Sequence, residues 1–274
     1  AGVVLSGKDF SDIQMQAIAA AVGFNETAFV LPSTIADFQI RYFTPGHENN
    51  LCGHATIGTI FALLREGKLD KKEFMIETKA GVLPISIYEK NHQTFITMQH
   101  AAPQFVPFEE SLKTLAEAIG LQEQDIDTDY PTLYGSTGIW TLIVPIRDLA
   151  SFGKMKPQTA TFPSILKEMP KMSIHPVCLD VRDMESTMHG RHFSSPYSGT
   201  IEDAVTGTAS GVMGAYYKKY VNPLLSLPAT LIVEQGHEIG KDGKVFVHVS
   251  GTAEQLDISI SGTAVYVKDI ELVI

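Results

Sequence analysis

Leu51-Cys52-Gly53-His54-Ala55-Thr56-Ile57-Gly58-Thr59-Ile60-Phe61-Ala62-Leu63-Leu64 contains no Asp, Glu, Lys or Arg, and neither does Val205-Thr206-Gly207-Thr208-Ala209-Ser210-Gly211-Val212-Met213-Gly214-Ala215-Tyr216-Tyr217. A helix apolar all round belongs inside a core, and the run over 55–64 is too short to span a bilayer. At an offset of 154 residues Cys52 falls on Thr206, Gly53 on Gly207, His54 on Thr208, Ala55 on Ala209 and Thr56 on Ser210. Upstream, Arg41-Tyr42-Phe43-Thr44-Pro45 resembles Arg191-His192-Phe193-Ser194-Ser195-Pro196, ahead of Glu48 in one copy and Glu202-Asp203 in the other. One such glycine turn would only permit close packing. Two, with matched strands before and matched helices after, indicate duplicated halves. Each loop opens a helix, whose N–H groups and dipole favour an anion. Together the loops are expected to frame one small-molecule site that holds a carboxylate and stabilises an enolate.

Outward from these loops the pattern stays α/β. Ser11-Asp12-Ile13-Gln14 is a capping box, Ile13, Ala17, Ile18 and Ala21 give its helix an apolar face, and Gly23 stops it. Residues 27–31 read as a buried strand, and 37–42 alternate as a half-buried one. Further strands are expected over 74–78, 82–88, 94–99, 140–144, 177–181, 231–234, 245–249, 256–260 and 265–267. An amphipathic helix is expected over 110–119, stopped by Gly120. The pattern changes near 103–110, which divides the chain into an N-terminal half, 1–106, and a C-terminal half, 107–274. The segment 262–274 is expected to return to the first half as its last strand.

Composition narrows the function classes. The 274 residues are 44% hydrophobic and 19% charged, enough to bury a sizeable core. A net charge of −10 without a basic stripe argues against nucleic acid. No apolar run reaches membrane-span length, and Ala1-Gly2-Val3-Val4-Leu5 does not read as a signal peptide. The two cysteines, Cys52 and Cys178, are too few for a disulfide framework, which points to the cytoplasm.

Several chemistries compete at the loops. Two-thiol racemisation needs a cysteine at both matched positions, but Cys52 is matched by Thr206, and Cys178 reads as a buried structural thiol. His47, Glu48, Cys52 and His54 cluster, and His189 and His192 lie three apart, yet neither set forms an HExxH or CxxC metal motif. Gly135-Ser136-Thr137-Gly138 is a turn rather than a nucleophile elbow. Acid–base work by carboxylates and His54 remains. Glu26 stands at the mouth of the apolar strand Ala28-Phe29-Val30-Leu31, where partial desolvation suits proton shuttling. By position alone, a solvated turn residue is the simpler reading.

Three blocks in order carry a resemblance: Asn25-Glu26-Thr27-Ala28-Phe29-Val30, Arg41 to Pro45 with Leu51 to Thr56, and Ile201-Glu202-Asp203-Ala204-Val205-Thr206-Gly207-Thr208-Ala209-Ser210-Gly211. With Glu234-Gln235-Gly236 they resemble the phenazine-biosynthesis PhzF-like isomerase family over essentially the whole chain. The resemblance implies a diaminopimelate-epimerase-like fold. Two pseudo-symmetric halves each wrap a curved, mostly antiparallel sheet around a buried helix, with the site in the cleft. It implies a cofactor-independent, metal-free isomerase, a small carboxylate substrate and a homodimer. Glu26 matches the proton-shuttling acid, His54 and Asp203 the residues that bind and orient substrate, and Gly53, Gly207 and Thr208 the loop positions. Thr208 replaces a frequent serine and keeps the hydroxyl. The family's leading strand and Gly-Asn-Pro loop have no match here, so the sequence is expected to be truncated. Alternatives are a metabolite-binding protein of the same fold and a thiol-dependent epimerase; the physiological substrate is not legible.

Overall fold

Helix caps and apolar runs place the first elements where the pattern puts them. The computed structural model describes residues 1–272, and its chain forms two units, Ala1–Gln99 with the chain from Ser261 onward, and His100–Ile260. The first crossing therefore falls seven residues before the 106/107 boundary read from sequence. The first unit runs β1 (Gly2–Val4), α1 (Asp12–Val22), β2 (Thr27–Leu31), β3 (Phe38–Phe43), β4 (Glu48–Asn49), α2 (Gly53–Arg65), β5 (Glu73–Thr78), β6 (Gly81–Lys90) and β7 (Gln93–Gln99). The second runs β8 (Gln104–Pro107), α3 (Leu112–Ala118), β9 (Leu133–Ser136), β10 (Trp140–Pro145), α4 (Phe162–Ile165), β11 (Ser173–Cys178), β12 (Met188–Gly190), β13 (His192–Phe193), β14 (Glu202–Asp203), α5 (Gly207–Tyr216), β15 (Ala229–Gln235) and β16 (Gly243–Gly251), and β17 (Leu256–Gly262) begins in it and ends in the first.

Ser11 and Gln14 form the capping box, and Gly23 closes α1 at φ 69°. The buried face is the expected one only at Ile18. Met15, Ile18 and Ala19 are buried, while Ile13 is 83% exposed and Ala17 and Ala21 lie in solvent. Met15 and Ala19 are turned onto Phe29 and Phe43, whose rings meet edge to face at 5.5 Å, and that contact sets the helix rotation. β2 touches both α1 and α2, so Thr27, Ala28 and Phe29 are all buried instead of alternating.

The two units repeat one pairing scheme. In the first, β1 lies parallel to β2, β2 antiparallel to β3, and β3 antiparallel to β4 and parallel to β5, which turns back into β6. In the second, β10 lies parallel to β11, and β11 antiparallel to β12 and β13. β13 is antiparallel to β14, and β12 parallel to β15, which turns back into β16. α2 packs on β1, β2 and β7, and α5 on β9, β10, β15 and β16. The fold is thus a mixed α/β arrangement of duplicated, mostly antiparallel sheets, each on a buried helix.

α5 comes close to its surroundings. A Cβ on Gly211 would stand 2.4 Å from His100 Nδ1, and one on Gly214 2.4 Å from a Val247 methyl. The strand expected over 265–267 does not form, and residues 263–272 make neither strand nor helix. Val265 and Val267 point into solvent, Tyr266 lies under the Arg65 guanidinium, and Leu272 packs on the Met15–Phe29 cluster. The last two positions of the expected 262–274 strand lie outside the described residues. Among the described residues no helix is long and apolar enough to cross a membrane.

Candidate active site

The matched loops have matched backbones. Cys52 (φ −145°, ψ 116°) and Thr206 (φ −115°, ψ 96°) are both extended, and neither side chain caps the helix it precedes. Each helix hides a hydroxyl by bonding back one turn, Thr56 Oγ1 to the Cys52 carbonyl (2.7 Å) and Ser210 Oγ to the Thr206 carbonyl (2.9 Å). Around each helix start residues 51–57 and 206–212 are buried except at one position, His54 in the first unit and Thr208 in the second. Each loop therefore offers one side chain beside an uncapped, electropositive helix end.

The strands leading in are braced alike. Arg41 donates two hydrogen bonds to the Glu48 carboxylate (2.7 and 2.9 Å), and Arg191 two to Glu202 (2.8 and 2.6 Å). Tyr42 pairs with Asn49 as His192 pairs with Asp203. Asn49 is thus the counterpart of Asp203, a relation the 154-residue offset contains although Asn49 is not ionisable.

Glu26 is fixed at the start of β2 by the Gly2 N–H, which donates to its carbonyl (2.9 Å). Its Oε2 lies 3.1 Å from His54 Nε2, and its Oε1 accepts from Asn49 Nδ2 (3.3 Å). Cys52 Sγ lies 3.6 Å from His54 Nδ1 and 3.8 Å from Nε2. Burial pushes the Cys52 thiol up by more than the adjacent His54 pulls it down. The Glu26 and His54 side chains stay 15% and 26% exposed, open to a small molecule. Glu26, Gly53 and His54 are thereby brought together within the first unit, with Asn49 and Cys52 beside them.

Asp203, Gly207 and Thr208 are brought together within the second unit. Thr206 Oγ1 donates to Asp203 Oδ2 (2.7 Å), and Gln235 Nε2 donates to the Asp203 carbonyl (2.7 Å). The Thr206 N–H donates to Gln235 Oε1 (3.2 Å). The conformation of Asp203 is set by its own loop and by the end of β15.

The competing clusters resolve differently. Glu48 is occupied by Arg41 and Lys79, and His47 lies in a turn closed by Thr44. His189, wholly buried, faces Glu234 (2.7 Å) and Glu238 (3.3 Å), whereas His192 bonds His175, so the two histidines serve separate networks. Contacts with His189 and Arg182 outweigh burial at Glu238 and hold its carboxyl at about 2. Cys178 is buried, donates to the Asp180 carbonyl, and is pushed up to about 12 by that burial. Gly138 turns the chain at φ 127°, its N–H donating to Ser136 Oγ, so that hydroxyl is spent on the turn.

Known proteins share this sequence and fold. The profile of the family described as Phenazine biosynthesis-like protein (PhzC-PhzF) matches residues 1–269. An uncharacterized isomerase of Bacillus subtilis, YfhB, is 50% identical over 267 residues, covering 97% of this chain and 90% of its own. Trans-2,3-dihydro-3-hydroxyanthranilate isomerase of Pseudomonas aeruginosa is 26% identical over 257 residues, covering 93% and 86%. The crystal structure of a PhzF-family phenazine biosynthesis protein from Bacillus anthracis superposes with a TM-score of 0.95 at 54% identity, covering 99% of this chain and 92% of that one.

Proposed function

The chain belongs to the phenazine biosynthesis-like PhzC-PhzF family and is an isomerase, and from that premise we propose that Glu26 is the acid and base of a cofactor-independent proton transfer at carbon. The substrate is a small cyclic or amino-acid-like carboxylate. Glu26 takes a proton from one carbon, the C–H electron pair delocalises into the adjoining unsaturated system, and the same carboxyl returns the proton to another carbon. In the first unit His54 and Gly53 bind and orient the substrate, and the uncapped end of α2 stabilises the developing anion; in the second, Asp203, Gly207 and Thr208 are the matching binding residues. The observation that carries the reading is the Glu26 carboxylate itself, half-buried between His54 Nε2 and Asn49 Nδ2. A homodimer in the cytoplasm is part of the same proposal; both cysteines are free thiols, as a reducing compartment would keep them.

Cys52 favours a second reading, a thiol-dependent epimerase, because its sulfur adjoins His54. A two-thiol mechanism lacks its partner at Thr206, and burial pushes the remaining thiol up, against the thiolate form such a mechanism uses. Turnover of trans-2,3-dihydro-3-hydroxyanthranilate and a panel of small cellular carboxylates, followed by NMR, separates the readings. Glu26→Gln is expected to lower kcat by about 10²–10⁴-fold, while Cys52→Ser leaves it within a few-fold. Binding without turnover by the wild type would instead identify a metabolite-binding protein.

A further inference from the structure

The donor atoms beside Glu26 have a second capability. Cys52 Sγ, His54 Nε2 and a Glu26 carboxylate oxygen lie within 4.8 Å of one another. A tetrahedral zinc ion, with bonds of about 2.3 Å to sulfur and about 2.0–2.2 Å to nitrogen and oxygen, holds such donors about 3.3–3.6 Å apart. Here the nitrogen–oxygen separation is 3.1 Å and the sulfur–nitrogen separation to Nε2 is 3.8 Å. Two of the three separations thus lie within a few tenths of an ångström of those a zinc tetrahedron needs, and rotation of the side chains can bring the three groups to three of its corners, leaving the fourth open.

We propose that Cys52, His54 and Glu26 form a site for one thiophilic divalent ion, of which Zn²⁺ is the type, and that its occupancy shuts off isomerisation. Thiolate, imidazole and carboxylate together match zinc and other late transition metals and disfavour Mg²⁺ and Ca²⁺. The thiol proton passes to solvent as the Zn–S bond forms, since a coordinating thiol is deprotonated outright. The two anionic donors offset the unfavourable positive end of α2. Asn49 Nδ2 on Glu26 Oε1 acts as an outer partner that leaves Oε2 to the metal. His189, Glu234 and His237 form the other group of this kind among the described residues. There Glu234 already accepts from His189 Nδ1, Arg182 N–H (2.6 Å) and Asp183 N–H (3.0 Å), so that carboxylate has little left for a metal.

Metal binding does not depend on the proposed reaction; only the inhibitory consequence rests on Glu26 being the proton carrier. The direct experiment titrates chelator-treated protein with CoCl₂ and then displaces the cobalt with ZnCl₂. One equivalent of Co²⁺ should give a near-ultraviolet thiolate-to-cobalt charge-transfer band, and ZnCl₂ should remove it. Cys52→Ser should lose the band, and Glu26→Gln and His54→Ala should each weaken binding at least about 10–100-fold, the loss already typical of an outer partner. Cys52→Ala repeats the test should the serine variant not fold, as judged by circular dichroism. A wild type without the band, a band that survives both Cys52 variants, or cobalt binding lost only in His237→Ala would overturn the site. Any of these would leave the isomerase reading intact. Turnover that continues with one equivalent of Zn²⁺ bound, while Glu26→Gln is inactive, would overturn the inhibition alone.

Discussion

At the residue scale one carboxylate is held through both its backbone and its side chain. Glu26 has its backbone pinned by the Gly2 N–H and its two oxygens divided between Asn49 and His54. Asn49 orients the carboxylate without adding charge, while its counterpart in the second unit is the charged Asp203. That difference suits a division of labour between a reacting acid and a binding acid. Removing a hydrogen bond to a charged group costs about 1.5–3 kcal/mol. Asn49→Ala is therefore expected to lower kcat/KM by about 10–100-fold, through kcat more than KM. An unchanged kcat in steady-state kinetics would remove Asn49 from the catalytic arrangement. The sequence itself made Glu26 only a turn residue before a strand; the family resemblance gave it a role. Asn49 is legible by offset alone, because an uncharged amide carries no acid–base signature of its own in the sequence.

At the element scale the duplicated unit is a strand, a hairpin and a buried helix, braced by an arginine on an acid. The two braces differ in burial. Arg191 and Glu202 have side chains only 6% and 8% exposed, and Arg191 also bonds the Phe152 carbonyl, whereas Glu48 has Lys79 as well as Arg41. Breaking a buried pair leaves an uncompensated charge, at about 3–5 kcal/mol. Arg191→Ala should lose about that much in urea denaturation and Arg41→Ala clearly less; equal losses would refute the argument from burial. The repeat was readable because small residues and absent charges leave a strong trace in sequence. The face of α1 was not, because Ile13 and Met15 are both apolar and the rings of Phe29 and Phe43 decide which one is covered. The expected strand over 265–267 failed for a related reason. Alternating valines mark a strand only where a partner edge is offered, and here those valines lie in solvent.

At the scale of the whole molecule, burial of neutral histidines sets the acid limit. His100 bonds Thr137 through Nδ1, and its Nε2 is buried without a hydrogen-bond partner. Burial pushes this imidazole down to about 4. The unfolded chain takes up a proton near pH 6.5 that the folded chain refuses until about 4. Stability is therefore whole above about pH 6.5 and falls as pH drops toward 4, by up to about 1.4 kcal/mol per unit from this one group. His175, also buried and pushed well down, acts in the same direction. Urea denaturation of His100→Gln should show a shallower fall over that window than the wild type, and parallel curves would contradict the assignment.

Duplication gave this chain two similar loops, and their chemical inequality is the central point. His54 is matched by Thr208 and Cys52 by Thr206, so neither loop repeats the other's chemistry, and our proposal gives the proton work to Glu26. The measurement that tests this most directly is solvent deuterium incorporation at carbon, read by mass spectrometry after incubation with trans-2,3-dihydro-3-hydroxyanthranilate and the carboxylate panel in D₂O. Deuterium should appear with the wild type and with Cys52→Ser, and should be absent with Glu26→Gln. Incorporation that persists in Glu26→Gln, or vanishes in a folded Cys52→Ser, would contradict the account.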